Sequence, residues 1–124
     1  MSKTLMIVDD SELMRFIIMR IINVSGLEFD KTEEACNGVD AMEKLKKSKF
    51  DIMLCDINMP EMNGFELVKK VRQNEAYNDI KIIMVSADSS QELIDSVIAD
   101  GANGFICKPF TSEKFQEKMS PFMN

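Results

Sequence analysis

Strand-length apolar runs recur along this chain, and each breaks off into a polar residue at a turn. The fullest case is Phe50 to Gly64, FDIMLCDINMPEMNG, in which Ile52, Met53, Leu54 and Cys55 lead into Asp56 and a Pro/Asn/Gly turn. An apolar run of this length, bounded by turn residues, reads as a strand covered on both faces. Thr4 to Asp10 (TLMIVDD) ends in paired acids, Ile82 to Ser86 (IIMVS) in a hydroxyl and Gly104 to Lys108 (GFICK) in an ammonium. An aspartate at one strand end is most often a turn former. Three carboxylates, a hydroxyl and an ammonium at four strand ends form a constellation that a solvated surface does not explain.

Amphipathic stretches fill the intervals. Ser11 is placed to cap a helix that Gly26 stops, with Met14, Ile17, Ile18, Ile21 and Ile22 as its inner stripe. Leu13 and Phe16 are apolar beyond that stripe. Glu28 to Ala35 reads as a weaker strand near a sheet edge. Asn37-Gly38 opens a helix on Val39, Met42 and Leu45, with Lys44, Lys46 and Lys47 outside. A third helix runs from Gly64 to about Glu75 on Phe65, Leu67, Val68 and Val71, and Ala76 to Asp79 is a loop. A fourth helix, capped by Ser89 or Ser90, is built on Leu93, Ile94, Val97 and Ile98 and closed by Gly101. A fifth starts near Thr111 on Phe115, Met119 and Phe122.

Five strands alternating with five helices give an α/β fold: a parallel sheet with helices on both faces, wound by right-handed crossovers. All strand C-termini then lie along one edge, where open parallel sheets place their ligands. At 124 residues the chain suits a single domain, residues 1–124. A net charge of −6 argues against nucleic acid and anionic membranes as partners. No apolar run approaches the roughly 20 residues of a membrane span, and the N-terminal run is too short and too acidic at its end for a signal peptide. Three cysteines at unrelated spacings, Cys36, Cys55 and Cys107, suit reduced, buried thiols in a cytoplasmic protein. With no histidine in the sequence, zinc, haem and Ser-His-Asp chemistry are disfavoured. The eleven methionines read as adaptable core filler.

Asp9, Asp10 and Asp56 brought together repel one another unless a cation neutralises them. An open all-oxygen site of this kind suits Mg²⁺. Lys108 and the Ser86 hydroxyl add donors for an incoming anion, so that together the set makes a phosphoryl clamp. The nucleophile inside the clamp is a carboxylate, which points to an aspartyl phosphate. The alternative is a structural cluster of acids with Lys108 as counter-ion.

VDD at Val8 to Asp10, DINMPEMNG at Asp56 to Gly64, Ser86-Ala87 and KPF at Lys108 to Phe110 resemble the receiver domain of two-component response regulators. VDDSELMR, NGVDAMEKL and KPFT point to its stand-alone chemotaxis members. The resemblance implies a flavodoxin-like sheet of order 2-1-3-4-5 and Asp56 as phosphoacceptor, served by a histidine kinase or histidine phosphotransfer domain. It implies Mg²⁺ held by Asp10, Asp56 and the Asn58 carbonyl, with Asp9 acting through water. It also implies Ser86 and Lys108 on the phosphoryl oxygens, and Phe105 as a switch aromatic coupled to Ser86. Asn58 and Asp88 are expected to orient the water that removes the phosphate. The Lys108–Pro109 bond is expected to be cis, because the ammonium must face the site while the chain turns away.

The expected protein is therefore a monomeric signalling molecule rather than an enzyme, with no output domain. Its target is expected on the fourth helix, fifth strand and fifth helix, where the exposed face of the fourth helix is acidic (Asp88, Glu92, Asp95, Asp100). The alternative within the family is a phosphorelay intermediate. A flavin mononucleotide carrier is disfavoured because Asp9-Asp10 stand where a phosphate-cradling loop would be needed. An aspartate-dependent phosphatase is disfavoured because the length leaves no room for a cap.

Overall fold

In the computed structural model, residues 3–123 are described. Along them run β1 (Thr4–Val8), α1 (Glu12–Ser25), β2 (Lys31–Ala35), α2 (Gly38–Lys47), β3 (Ile52–Asp56), α3 (Gly64–Arg72), β4 (Lys81–Ser86), α4 (Gln91–Ala99), β5 (Gly104–Cys107) and α5 (Ser112–Met119). The strands pair in parallel in the order β2-β1-β3-β4-β5. This is the flavodoxin-like doubly wound sheet expected from the alternation of elements.

Alternation along each strand divides the sheet's side chains between two cores. Met6, Val8, Met53, Cys55, Ile82 and Met84 face α2, α3 and α4, where they meet Ala41, Leu45, Leu67, Val68, Val71 and Val97. Leu5, Ile7, Ile52, Leu54, Ile83, Val85 and Ile106 face the other way, onto Ile18 and Ile22 of α1 and Phe115 and Met119 of α5. Met6, Met53, Met84 and Met119 are wholly buried, in keeping with a role as core filler.

The helix starts are set locally. Side chains of Ser11, Asn37, Asn63, Ser90 and Thr111 each accept a backbone N–H of the first turn, and Gly26 ends α1 with φ 84°. Of the two serines before α4, Ser90 is the cap.

Several expectations require correction. Ile17, Val39 and Ile98 are exposed, so three helices bury narrower stripes than their apolar residues suggest. In α2 the inward face is Gly38, Ala41 and Leu45. A Cβ on Gly38 would lie 2.7 Å from Met62, and this close approach turns Val39 outward. Cys36 and Cys107 are exposed, and only Cys55 is buried. β2 starts at Lys31, later than its apolar residues indicate. Phe122 belongs to a 3-10 turn, Ser120–Phe122, beyond α5.

The third helix stops at Arg72, short of Glu75, for an identifiable reason. The Arg72 guanidinium turns back to donate to the carbonyls of Gly101 (2.9 Å), Tyr77 (3.0 Å) and Ile80 (2.7 Å) and to Asn103 Oδ1 (2.8 Å). Asn74 caps a separate 3-10 turn, Glu75–Tyr77, by accepting the Ala76 N–H at 2.9 Å. Half-burial pulls the Arg72 pKa down. Its fork ties the end of α3 to the connection before β4 (Tyr77, Ile80) and to the loop before β5 (Gly101, Asn103). Hydrogen bonds to a charged donor each contribute about 1.5–3 kcal/mol. Arg72→Met is expected to lower stability by about 2–3 kcal/mol in urea unfolding; a loss below about 0.5 kcal/mol, the usual range of surface changes, would show the strut to be dispensable.

Candidate phosphoacceptor site

The strand ends deliver the five expected side chains to one edge of the sheet. Asp9 follows β1, Asp56 and Ser86 end β3 and β4, and Lys108 follows β5. Asp9, Asp56 and Ser86 are buried, whereas Asp10 is exposed. Carboxylate oxygens of Asp9, Asp10 and Asp56 lie within 4.8 Å of one another. Lys108 Nζ is 3.2 Å from Asp56 Oδ1 and 3.4 Å from Asp9 Oδ2.

Each group is held by its own loop. Asp9 Oδ1 accepts the Ser11 N–H at 2.9 Å, and the Asp9 N–H donates to the Ala35 carbonyl at 3.1 Å. Ser86 Oγ accepts the Asp88 N–H at 3.1 Å, and the Ser86 carbonyl accepts the Lys108 N–H at 2.8 Å. The Lys108–Pro109 bond is cis, as expected. Beyond Asp56, the Gly64 N–H returns to the Ile57 carbonyl at 2.9 Å. A Cβ on Gly64 would fall 2.5 Å from the Asp56 carbonyl oxygen and 2.8 Å from Ile57 Cα, so only glycine permits this closure. Glu61, in the same loop, has φ 65°. Its carboxylate accepts from Asn37 Nδ2 at 3.1 Å.

Burial dominates the electrostatics of Asp56. Desolvation raises its pKa above the usual carboxylate value; Lys108 opposes this, while Asp9 and Asp10 add to it. The neighbouring Cys55 thiol is pushed far up, first by burial and then by the charges of Asp56 and Asp9, so it stays protonated. The carboxylates therefore form an oxygen-only group with excess negative charge at an open edge. Their number, hardness and spacing fit a Mg²⁺ ion retaining several waters.

The remaining expected residues lie around this centre. Asn58 is exposed in the loop after β3. Asp88 is exposed, and one of its carboxylate oxygens accepts the Ser90 N–H at 3.0 Å. Phe105 is half-buried and lines a groove of about 460 Å³ with Ile94, Ile98, Pro109, Lys114 and Lys118. Leu13 and Phe16 are 68% and 59% exposed, so neither belongs to the core. Arg15 was not among the expected site residues, although its Nη1 donates to the Asp9 carbonyl at 2.6 Å. The only sequence signal for it was its place at the end of VDDSELMR.

Known proteins agree with this geometry. The sequence profile of the response regulator receiver domain matches residues 5–120. The chain is 41% identical over 116 residues to a chemotaxis protein CheY homolog of Campylobacter jejuni, covering 93% of this chain and 88% of that one. It is 37% identical over 115 residues to chemotaxis protein CheY-3 of Vibrio cholerae, covering 93% and 87%. Among solved structures, the chemotaxis response regulator CheY4 of Vibrio cholerae superposes with a TM-score of 0.86 at 32% identity, covering 98% of this chain and 99% of that one. A CheX–CheY complex from Borrelia burgdorferi, described with BeF3 and magnesium, superposes with a TM-score of 0.83 at 28% identity, covering 98% and 90%. A fold, a strand-end acid cluster and a family profile that runs nearly the full length converge, and the chain belongs to the response regulator receiver domain family.

Proposed function

We propose that this protein accepts a phosphoryl group on Asp56 from a histidine phosphodonor and so switches a partner-binding surface. The observation that carries the reading is the convergence of the Lys108 ammonium on buried Asp56 and Asp9 beside exposed Asp10. A carboxylate oxygen of Asp56 attacks phosphorus; the bond from phosphorus to the donor nitrogen breaks, and its electron pair stays with the imidazole. Lys108 and the Ser86 hydroxyl take the phosphoryl oxygens as charge builds on them. Asp10, Asp56 and the Asn58 carbonyl would hold Mg²⁺, with Asp9 acting through water. When bound, Mg²⁺ supplies positive charge against the acids and the phosphoryl oxygens. Asn58, two residues past Asp56, and Asp88, two past Ser86, are exposed, and their polar side chains can orient the water that later hydrolyses the acyl phosphate.

The output follows from small movements. Phosphoryl oxygens draw Ser86 and Lys108 toward Asp56, and Phe105 moves into the space behind Ser86. The α4–β5–α5 face changes shape by a coupling of about 1–3 kcal/mol. The chemotaxis names of the relatives favour a chemotaxis-type pathway, with the protein acting as a monomeric messenger in the cytoplasm. No helix among the described residues is long and apolar enough to cross a membrane. The acidic outer face of α4 and the groove beside Phe105 suit a target with an apolar stripe and a basic rim, whose charges set mainly the association rate. Leu13 and Phe16 form an apolar patch near the site rim, suited to the helices of the phosphodonor.

Incubation with acetyl phosphate and Mg²⁺ should add one phosphoryl mass to the intact protein, and Asp56→Asn should abolish it. Labelling of that variant at native yield would remove Asp56 from the role. Neutralising one member of the acid cluster relieves its repulsion, so Asp10→Asn is expected to raise the urea midpoint in EDTA. The wild-type protein should gain about 2.7 kcal/mol from Mg²⁺ at a hundredfold excess over Kd, and the variant should gain much less. Identical midpoints with and without Mg²⁺ in the wild type would contradict the metal site. Phe16→Ser should slow phosphotransfer from the cognate kinase by about fivefold to tenfold, the cost of one interface anchor, and leave the acetyl phosphate rate unchanged. An equal loss with both donors would place the defect in the fold.

A further inference from the structure

The two acids after β1 are held unequally. Asp9 is buried and fixed by the Ser11 N–H and by Lys108. Asp10 is exposed, and among the described residues its carboxylate has no hydrogen-bond or ion-pair partner. Its direction is therefore set by the peptide unit that joins it to Asp9. That unit is gripped from outside the strand. Arg15 lies one turn into α1, where its N–H donates to the Ser11 carbonyl at 3.0 Å. Its Nη1 donates to the Asp9 carbonyl at 2.6 Å, while its Nε meets Glu34 Oε1 at 2.8 Å. Glu34 stands on β2 opposite Ile7 of β1. The guanidinium is largely buried, with 14% of the side chain exposed. It thus bridges the edge strand to the carbonyl between the two acids.

We propose that Arg15 is a positioning residue for the cation site: by clamping the Asp9–Asp10 peptide against β2, it holds the Asp10 carboxylate toward Asp56. The proposal rests on the Mg²⁺ site described under Proposed function. A planar guanidinium suits the task because its fork donates in two directions at once, to the Asp9 carbonyl and to Glu34, which a single ammonium serves less well. Outer partners that orient the ligands of a metal typically account for 10–100-fold in affinity. Charge alone predicts the opposite sign. Removing a cation beside an acidic cluster should tighten Mg²⁺ binding, and replacing it with lysine should leave binding unchanged.

The test is a magnesium titration of the full chain followed by amide chemical shifts of Asp10 and Asp56, whose dispersion also reports that each variant is folded. Arg15→Met is expected to raise the Mg²⁺ dissociation constant about tenfold. Arg15→Lys, which keeps the charge and is the safer variant for folding, should raise it about threefold, as part of that range. Either variant, folded and binding Mg²⁺ within twofold of the wild type or more tightly, overturns the clamp. If the wild type shows no saturable Mg²⁺ shifts, the metal reading itself fails, and the clamp with it. An effect of charge alone is recognised by wild-type affinity in Arg15→Lys together with tighter binding in Arg15→Met.

Discussion

The Lys108 ammonium reaches two buried carboxylates that lie across the sheet from its own strand. β5 is an edge strand, whereas Asp56 follows from β3 and Asp9 from β1, with β4 between β5 and β3. Neighbouring strands are about 4.8 Å apart, so β5 and β3 are separated by about two such spacings, and the side chains of Lys108 and Asp56 close that gap from both sides to leave Nζ 3.2 Å from Oδ1. The direction of the lysine is set where the chain leaves β5: the Lys108 N–H is tied to the Ser86 carbonyl, and Pro109 follows immediately. The acids at the centre of the sheet are compatible with burial because this cation arrives from the edge. A buried ion pair that loses one partner leaves an uncompensated charge at a cost of about 3–5 kcal/mol.

That compensation is incomplete, and the shortfall is chemically useful. One ammonium faces three carboxylates, and the net effect on Asp56 is a raised pKa in spite of Lys108. A site with surplus negative charge favours a divalent cation. Functional sites commonly give up stability in this way. The local backbone makes a similar concession: Glu61 sits at positive φ, and Gly64 passes so close to Asp56 that no side chain fits.

Contacts around the site join it to separate loops. Ser86 is linked to the start of α4 through the Asp88 N–H and then through Asp88 to Ser90, the cap of that helix. Lys108 leads into Pro109 and the N-terminus of α5. Ser86 and Lys108 are thus connected to the starts of α4 and α5, the two helices that line the groove beside Phe105. On the opposite flank, Arg15 and Glu34 connect the acid pair to the sheet edge.

Much of this was legible in the sequence because the signals are local. Apolar runs ending in turn residues marked β1, β3, β4 and β5, and Ser11, Asn37 and Gly26 marked helix limits through hydrogen bonds or backbone conformations within a few residues. Alternation of elements then dictated a parallel sheet, which places Asp9, Asp10, Asp56, Ser86 and Lys108 at one edge. What the sequence left undecided depends on residues far apart in the chain. Val39 faces outward because Met62 leaves room only for Gly38, and α3 ends at Arg72, whose guanidinium has partners from Tyr77 to Asn103. Cys107 lies in a strand yet is exposed, since strand character fixes the alternation of side chains and not what covers them. Arg15 is one polar residue of a helix until β2 brings Glu34 beside it. Periodicity and capping are properties of a short segment, whereas close approach, coverage and a shared hydrogen-bond donor exist only once distant segments have met.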